Sequence, residues 1–113
     1  MLVVDDNADA VTTMAMLVES LGGTAETAYD GETAVARALE FRPDIVLLDI
    51  GMPGIDGYES CRRLRAAMGS EVVLVALTGW SQPQDRDDAM RAGFDEHLTK
   101  PVDFSVVERL LRK

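Results

Sequence analysis

Short apolar runs alternate with stretches of helical periodicity five times along this chain, and no other feature constrains its fold as tightly. The runs are Leu2-Val3-Val4, a weaker one over Thr24 to Ala28, Asp44 to Leu48, Val72 to Leu77, and one near Glu96 to Thr99. Each is short enough to be a strand and is followed by a stretch long enough for a helix, the signature of repeated βα units around a parallel sheet. The third and fourth runs are continuously apolar rather than alternating, as strands are when helices cover both faces of their sheet.

The intervening stretches carry helix signals of their own. Over Ala8 to Leu21, Val11, Met14, Val18 and Leu21 fall at three- and four-residue spacings, and Gly22-Gly23 stops the pattern. Asp30-Gly31 opens a helix with Ala34, Val35, Ala38 and Leu39 on one side, and Arg42-Pro43 ends it. Asp56 and Glu59 have capping-box spacing ahead of a helix that buries Cys61, Leu64 and Met68 and turns Arg62, Arg63 and Arg65 outward to solvent. Gln84 to Ala92 is a short, highly polar helix closed by Gly93. Its small apolar content, chiefly Ala89, Met90 and Ala92, predicts weak anchoring. Asp103 caps a last helix with Val106, Val107, Leu110 and Leu111 inward.

A length of 113 residues suits one domain and is too short for a catalytic domain joined to an effector, so any output function is expected outside this chain. The formal net charge of -9 argues against binding a phosphate backbone, which needs a basic face to displace counterions. Of the basic residues only Lys100 and Lys113 are lysines, so a lysine directly after an apolar run stands out. The single cysteine, Cys61, excludes an internal disulfide and falls in a helical pattern as a small buried residue. No apolar stretch approaches the roughly 18 residues needed to cross a bilayer, and the first residues lack a basic region followed by an apolar one; the chain reads as cytoplasmic.

Four of the apolar runs end in groups suited to phosphoryl chemistry: Asp5-Asp6, Asp49, Thr78 and Lys100-Pro101. If the runs are parallel strands, these ends share the edge at which open α/β sheets bind ligands. A carboxylate attacking an anionic phosphoryl group needs its charge offset, which a hard divalent cation held by Asp5, Asp6 and Asp49 would do, with Lys100 adding a second positive charge and Thr78 a hydroxyl donor. Each signal alone is ordinary, since Asp-Asp after a strand is commonly a turn or cap. Their conjunction, in this order, is specific.

The whole chain resembles the receiver domain of two-component response regulators. The resemblance rests on Leu2-Val3-Val4-Asp5-Asp6-Asn7, on Asp44 through Gly57, on Ala76-Leu77-Thr78-Gly79, on Gly93-Phe94-Asp95 and on Leu98-Thr99-Lys100-Pro101. It implies one receiver domain over residues 1–113, with a flavodoxin-like, doubly wound (βα)5 three-layer fold and strand order 2-1-3-4-5, for which a bacterial receiver is a standard example. It implies that Asp49 accepts a phosphoryl group from a histidine kinase or histidine phosphotransfer protein. Asp6, Asp49 and the Gly51 backbone carbonyl would bind Mg²⁺, with Mn²⁺ as a substitute and Asp5 acting through a metal-bound water. Lys100 would contact the phosphoryl group, and the Lys100-Pro101 peptide would be cis. Thr78 would be the switch hydroxyl.

The side chain that moves with Thr78 maps onto His97, where the family often has Tyr or Phe; an imidazole there also allows a pH-sensitive switch. Gly51 and Trp80 occupy the positions that govern how fast water reaches the aspartyl phosphate, Gly51 leaving access open and Trp80 able to shield it. The implied partners are the kinase and an output domain or downstream protein, with no direct contact to nucleic acid or membrane. A homodimer through the fourth helix, fifth strand and fifth helix is compatible with the resemblance. The competing readings are a haloacid-dehalogenase-type phosphatase, disfavoured because Gly51 stands where that chemistry needs a second acid, and a degenerate receiver used only for dimerisation, which would need none of Asp5, Asp6, Asp49, Thr78 and Lys100.

Overall fold

The computed structural model describes residues 1–50, 57–78, 83–99 and 104–111, with backbone alone at 83–86 and 104. Ten elements alternate along it: β1 (Leu2–Val4), α1 (Ala8–Ser20), β2 (Glu26–Ala28), α2 (Gly31–Phe41), β3 (Ile45–Asp49), α3 (Gly57–Met68), β4 (Val73–Thr78), α4 (Pro83–Ala92), β5 (Glu96–Thr99) and α5 (Phe104–Leu111). The strands form one parallel sheet in the order β2-β1-β3-β4-β5. This is the predicted topology.

Strand alternation divides the core in two. On one face Leu2, Val4, Val46, Leu48, Leu74 and Ala76 pack with Ala34 and Ala38 of α2, Cys61 and Leu64 of α3 and Ala89 of α4. On the other Val3, Ile45, Leu47, Val75 and Leu77 pack with Val11 of α1 and Leu110 of α5. All five residues of β3 are buried, the reason its sequence reads as a continuous apolar run closed by a carboxylate.

Local chemistry sets the helix ends. Asn7 caps α1, its Oδ1 accepting from the Asp9 and Ala10 amides at 3.0 and 3.2 Å. Asp30 caps α2 by accepting from the Thr33 amide at 2.7 Å. Gly57, the first residue of α3, lies so close to Ile50 that a Cβ there would collide with the Ile50 backbone, which only glycine avoids. Gly93 ends α4 at φ +114, a conformation L side chains rarely adopt.

Some expectations need correction. β2 begins at Glu26 rather than Thr24, and β4 is displaced one residue, ending on Thr78 itself. Leu39 does not face the core: it is 47% exposed, whereas Ala34 and Ala38 are buried on the sheet side of α2 and Val35 packs beside them. Met90 is also 47% exposed, so α4 is anchored through Ala89, with Ala92 partly buried. Arg65 does not turn outward with Arg62 and Arg63. Its guanidinium donates to the carbonyls of Gly69, Val72 and Gly93 at 3.0, 2.8 and 2.6 Å and to Asp95 Oδ2 at 2.9 Å. The same Asp95 oxygen accepts from the Leu74 amide at 2.8 Å, so one side chain ties the end of α3 to the start of β4 and to the α4–β5 junction.

Candidate functional site at the carboxyl edge of the sheet

The parallel register brings three chain segments level at one edge. Val4 pairs with Leu48 and Asp49 with Leu77, so Asp5 and Asp6 at the end of β1 stand beside Asp49, and Thr78 ends the next strand. Oxygen atoms of Asp5, Asp6 and Asp49 lie within 4.8 Å of one another. Asp5 and Asp49 are buried, Asp6 is exposed, and Thr78 is buried at 6% exposure. The cluster therefore has a deep wall and an open rim.

Backbone donors hold the cluster in place. The Asp5 amide donates to the Ala28 carbonyl at 3.2 Å, and Asp5 Oδ1 accepts from the Asn7 amide at 3.0 Å. Asn7 thus serves twice, orienting Asp5 through its amide and capping α1 through its side chain. On the far side of Asp49, the Ile50 amide donates to the Leu77 carbonyl at 3.1 Å, which keeps the chain in register one residue past the strand. An all-carboxylate donor set with oxygens this close suits a hard divalent cation: at metal–oxygen distances of about 2.1 Å, opposite ligands sit about 4.2 Å apart.

His97 lies on β5 opposite Ala76, and Thr99 opposite Thr78. Ala76 belongs to the face that α2, α3 and α4 cover, so His97 and Thr78 are diagonal neighbours on that face. The His97 Nε2 is buried with no hydrogen-bond partner among the described residues. Gly51, Trp80, Lys100 and Pro101, together with the caps expected at Asp56 and Asp103, lie outside the described residues.

Cys61 is fully buried, and its Sγ donates to the Ala92 carbonyl at 3.4 Å. Burial pushes its thiol up to about 11. It is a packing residue, as its place in the helical pattern suggested.

What sequence reasoning missed is Asn7 as an organiser beside the site and Arg65 as a clamp at the other, amino-terminal edge of the sheet. Arg65 was detectable: it follows Leu64 and lies four residues after Cys61, at the margin of the buried stripe rather than opposite it.

The model of the response regulator receiver domain matches residues 1–112, and the chain belongs to that family. It is 39% identical over 111 residues to the transcriptional regulatory protein PrrA of Mycobacterium tuberculosis, covering 98% of this chain and 46% of that one. It is 36% identical to ResD of Bacillus subtilis, again over 98% of this chain and 45% of the relative. The chain thus spans about half the length of these regulators.

Among solved structures, the chemotaxis protein CheY4 of Vibrio cholerae superposes with a TM-score of 0.90 at 26% identity, covering 98% of this chain and 93% of the other. The receiver domain of the sensor histidine kinase PA1611 of Pseudomonas aeruginosa, solved with a magnesium ion in its active-site cleft, superposes at 0.88 with 34% identity over 98% and 92%. No helix among the described residues is long and apolar enough to cross a membrane.

Proposed function

We propose that this receiver domain works as a phosphorylation switch whose phosphoacceptor is Asp49. The observation that carries the reading is the meeting of Asp5, Asp6 and Asp49 oxygens within 4.8 Å at the carboxyl edge of the sheet. A structural cap needs one carboxylate; three drawn together repel one another unless a cation or a transferred group justifies them. Asp49 is the member that ends the central strand of the sheet, β3, all of whose residues are buried.

In the reaction an Asp49 carboxylate oxygen attacks the phosphorus of a phosphohistidine on a kinase or phosphotransfer protein. The new oxygen–phosphorus bond forms as the phosphorus–nitrogen bond breaks, and the electron pair returns to the partner's imidazole. Asp6, Asp49 and the Gly51 carbonyl would hold Mg²⁺, or Mn²⁺ in its place, and Asp5 would act through a bound water. The cation supplies positive charge against the phosphoryl oxygens. The Thr78 hydroxyl donates to a phosphoryl oxygen, and Lys100 pairs with another.

Thr78 moving toward the phosphoryl group frees space on the face it shares with His97, and His97 follows. Attack of water on phosphorus releases phosphate and restores the Asp49 carboxylate, so the domain is a transient switch and not an enzyme acting on a separate substrate. Trp80 shields the acyl phosphate from that water, while Gly51 leaves access open. The output lies in a further domain or a downstream protein, as the greater length of the regulators similar to this chain suggests.

The test is incubation with a small phosphodonor, with and without Mg²⁺, followed by intact-mass measurement. One phosphoryl adduct that forms only with the cation supports the reading. No adduct, or an equal adduct in the presence of a chelator, contradicts it.

A further inference from the structure

A groove of about 300 Å³ lies between α3 and α4, lined by Tyr58, Arg62, Asp88, Arg91 and Ala92. None of these residues belongs to the Asp5, Asp6 and Asp49 cluster. Arg91 is exposed, and although Asp87 and Asp88 stand about one turn away on its own helix, it forms no ion pair with either. On a chain with 20 acidic and 11 basic residues, a guanidinium with no ion pair among the described residues is against expectation. Across the groove, Arg62 and Arg63 share a single acid, Glu59, at 3.3 and 3.6 Å. Tyr58 stiffens the wall, since its ring packs against the core cluster that includes Leu64 and Ala89.

We propose that this groove docks a short acidic peptide segment of a partner protein. A carboxylate of the segment is held by Arg91 with Arg62, an apolar neighbour lies against Tyr58 and Ala92, and the half-buried Asp88 accepts a backbone N–H of the extended peptide. Tyrosine and arginine are the residue types that concentrate binding energy at interfaces. A bare inorganic anion would leave the Tyr58 wall unused. A basic segment would meet the two guanidinium groups of Arg62 and Arg91. A second copy of the chain opposes itself through a net charge of -9 on each molecule.

The test is a titration of the ¹⁵N-labelled chain with acetyl-Leu-Phe-Asp-Asp-amide and with the same peptide carrying lysines in place of its aspartates. Expected are amide shifts at Tyr58, Arg62, Asp88 and Arg91 with the acidic peptide alone. Affinity is expected to fall about tenfold in Arg91→Gln, as loss of a charge-assisted pair predicts, and to fall again in about 0.5 M salt. Equal shifts with the lysine peptide, no shifts at all, or undiminished affinity in an Arg91→Gln variant with a native spectrum would overturn the proposal. So would the same shifts with inorganic phosphate at equal concentration, which would mark a bare anion site. An Arg91-dependent dimer in sedimentation would make the occupant a second copy and overturn it as well.

Discussion

His97 carries the clearest unresolved cost at the scale of single residues. A buried polar atom without a partner costs about 1–3 kcal/mol, and Nε2 has none among the described residues. Replacing His97 with Phe keeps a planar ring and removes that atom, so urea denaturation should show the variant more stable by about 1 kcal/mol. A loss of stability would mean that the nitrogen finds a partner in solution. Cys61 makes the opposite case, a reactive atom disarmed by its surroundings. With its thiol pushed up to about 11, Cys61 stays protonated at pH 8, and iodoacetamide should modify the native chain far more slowly than the urea-unfolded chain. Equal rates would contradict the burial.

Arg65 and Asp30 show how two single side chains fix whole elements. Arg65 gathers the carbonyls of Val72 and Gly93 with the Asp95 carboxylate, so Arg65→Met keeps the aliphatic packing but strands those acceptors. The variant should lose about 1–3 kcal/mol, with hydrogen exchange rising first at the Leu74 amide and across the α4–β5 junction. A uniform rise over all elements would argue against a local clamp. Asp30 holds α2 by a different means. The Thr33 amide, and then its hydroxyl, lower the Asp30 pKa below 3.8. A carboxyl lowered on folding adds stability above its unfolded value, and that stability disappears as pH falls through the folded one. Asp30→Ala should therefore cost about 1 kcal/mol at neutral pH, and the gap from the parent should close in acid. A gap constant down to pH 2 would contradict the charge-assisted cap.

These two elements also mark how far the sequence could be read. The α2 cap was legible because donor and acceptor lie three residues apart. For Arg65 only the place at the margin of the buried stripe was legible; its acceptors were not, because they include backbone carbonyls up to 28 residues away that carry no side-chain signature. Leu39 and Met90 misled because helical spacing identifies a shared side without fixing how wide the buried stripe is.

Across the whole molecule, the fold and the acidic cluster were legible for a common reason. Parallel βα repetition leaves every strand's carboxyl end at one edge, so polar residues that close apolar runs in sequence become neighbours in space. Asp49 is distant along the chain from the adjacent Asp5 and Asp6, yet oxygens of all three meet within 4.8 Å. The burial of Nε2 and Arg91's lack of an ion pair among the described residues were not legible, since both depend on how helices settle on the sheet.

The central claim is that Asp49 is the group phosphorylated. Borohydride reduction of the phosphorylated chain converts an aspartyl phosphate to homoserine, which tandem mass spectrometry locates by position. The account predicts homoserine at position 49 alone and no adduct in Asp49→Asn; homoserine at position 5 or 6, or an adduct that survives Asp49→Asn, would contradict it.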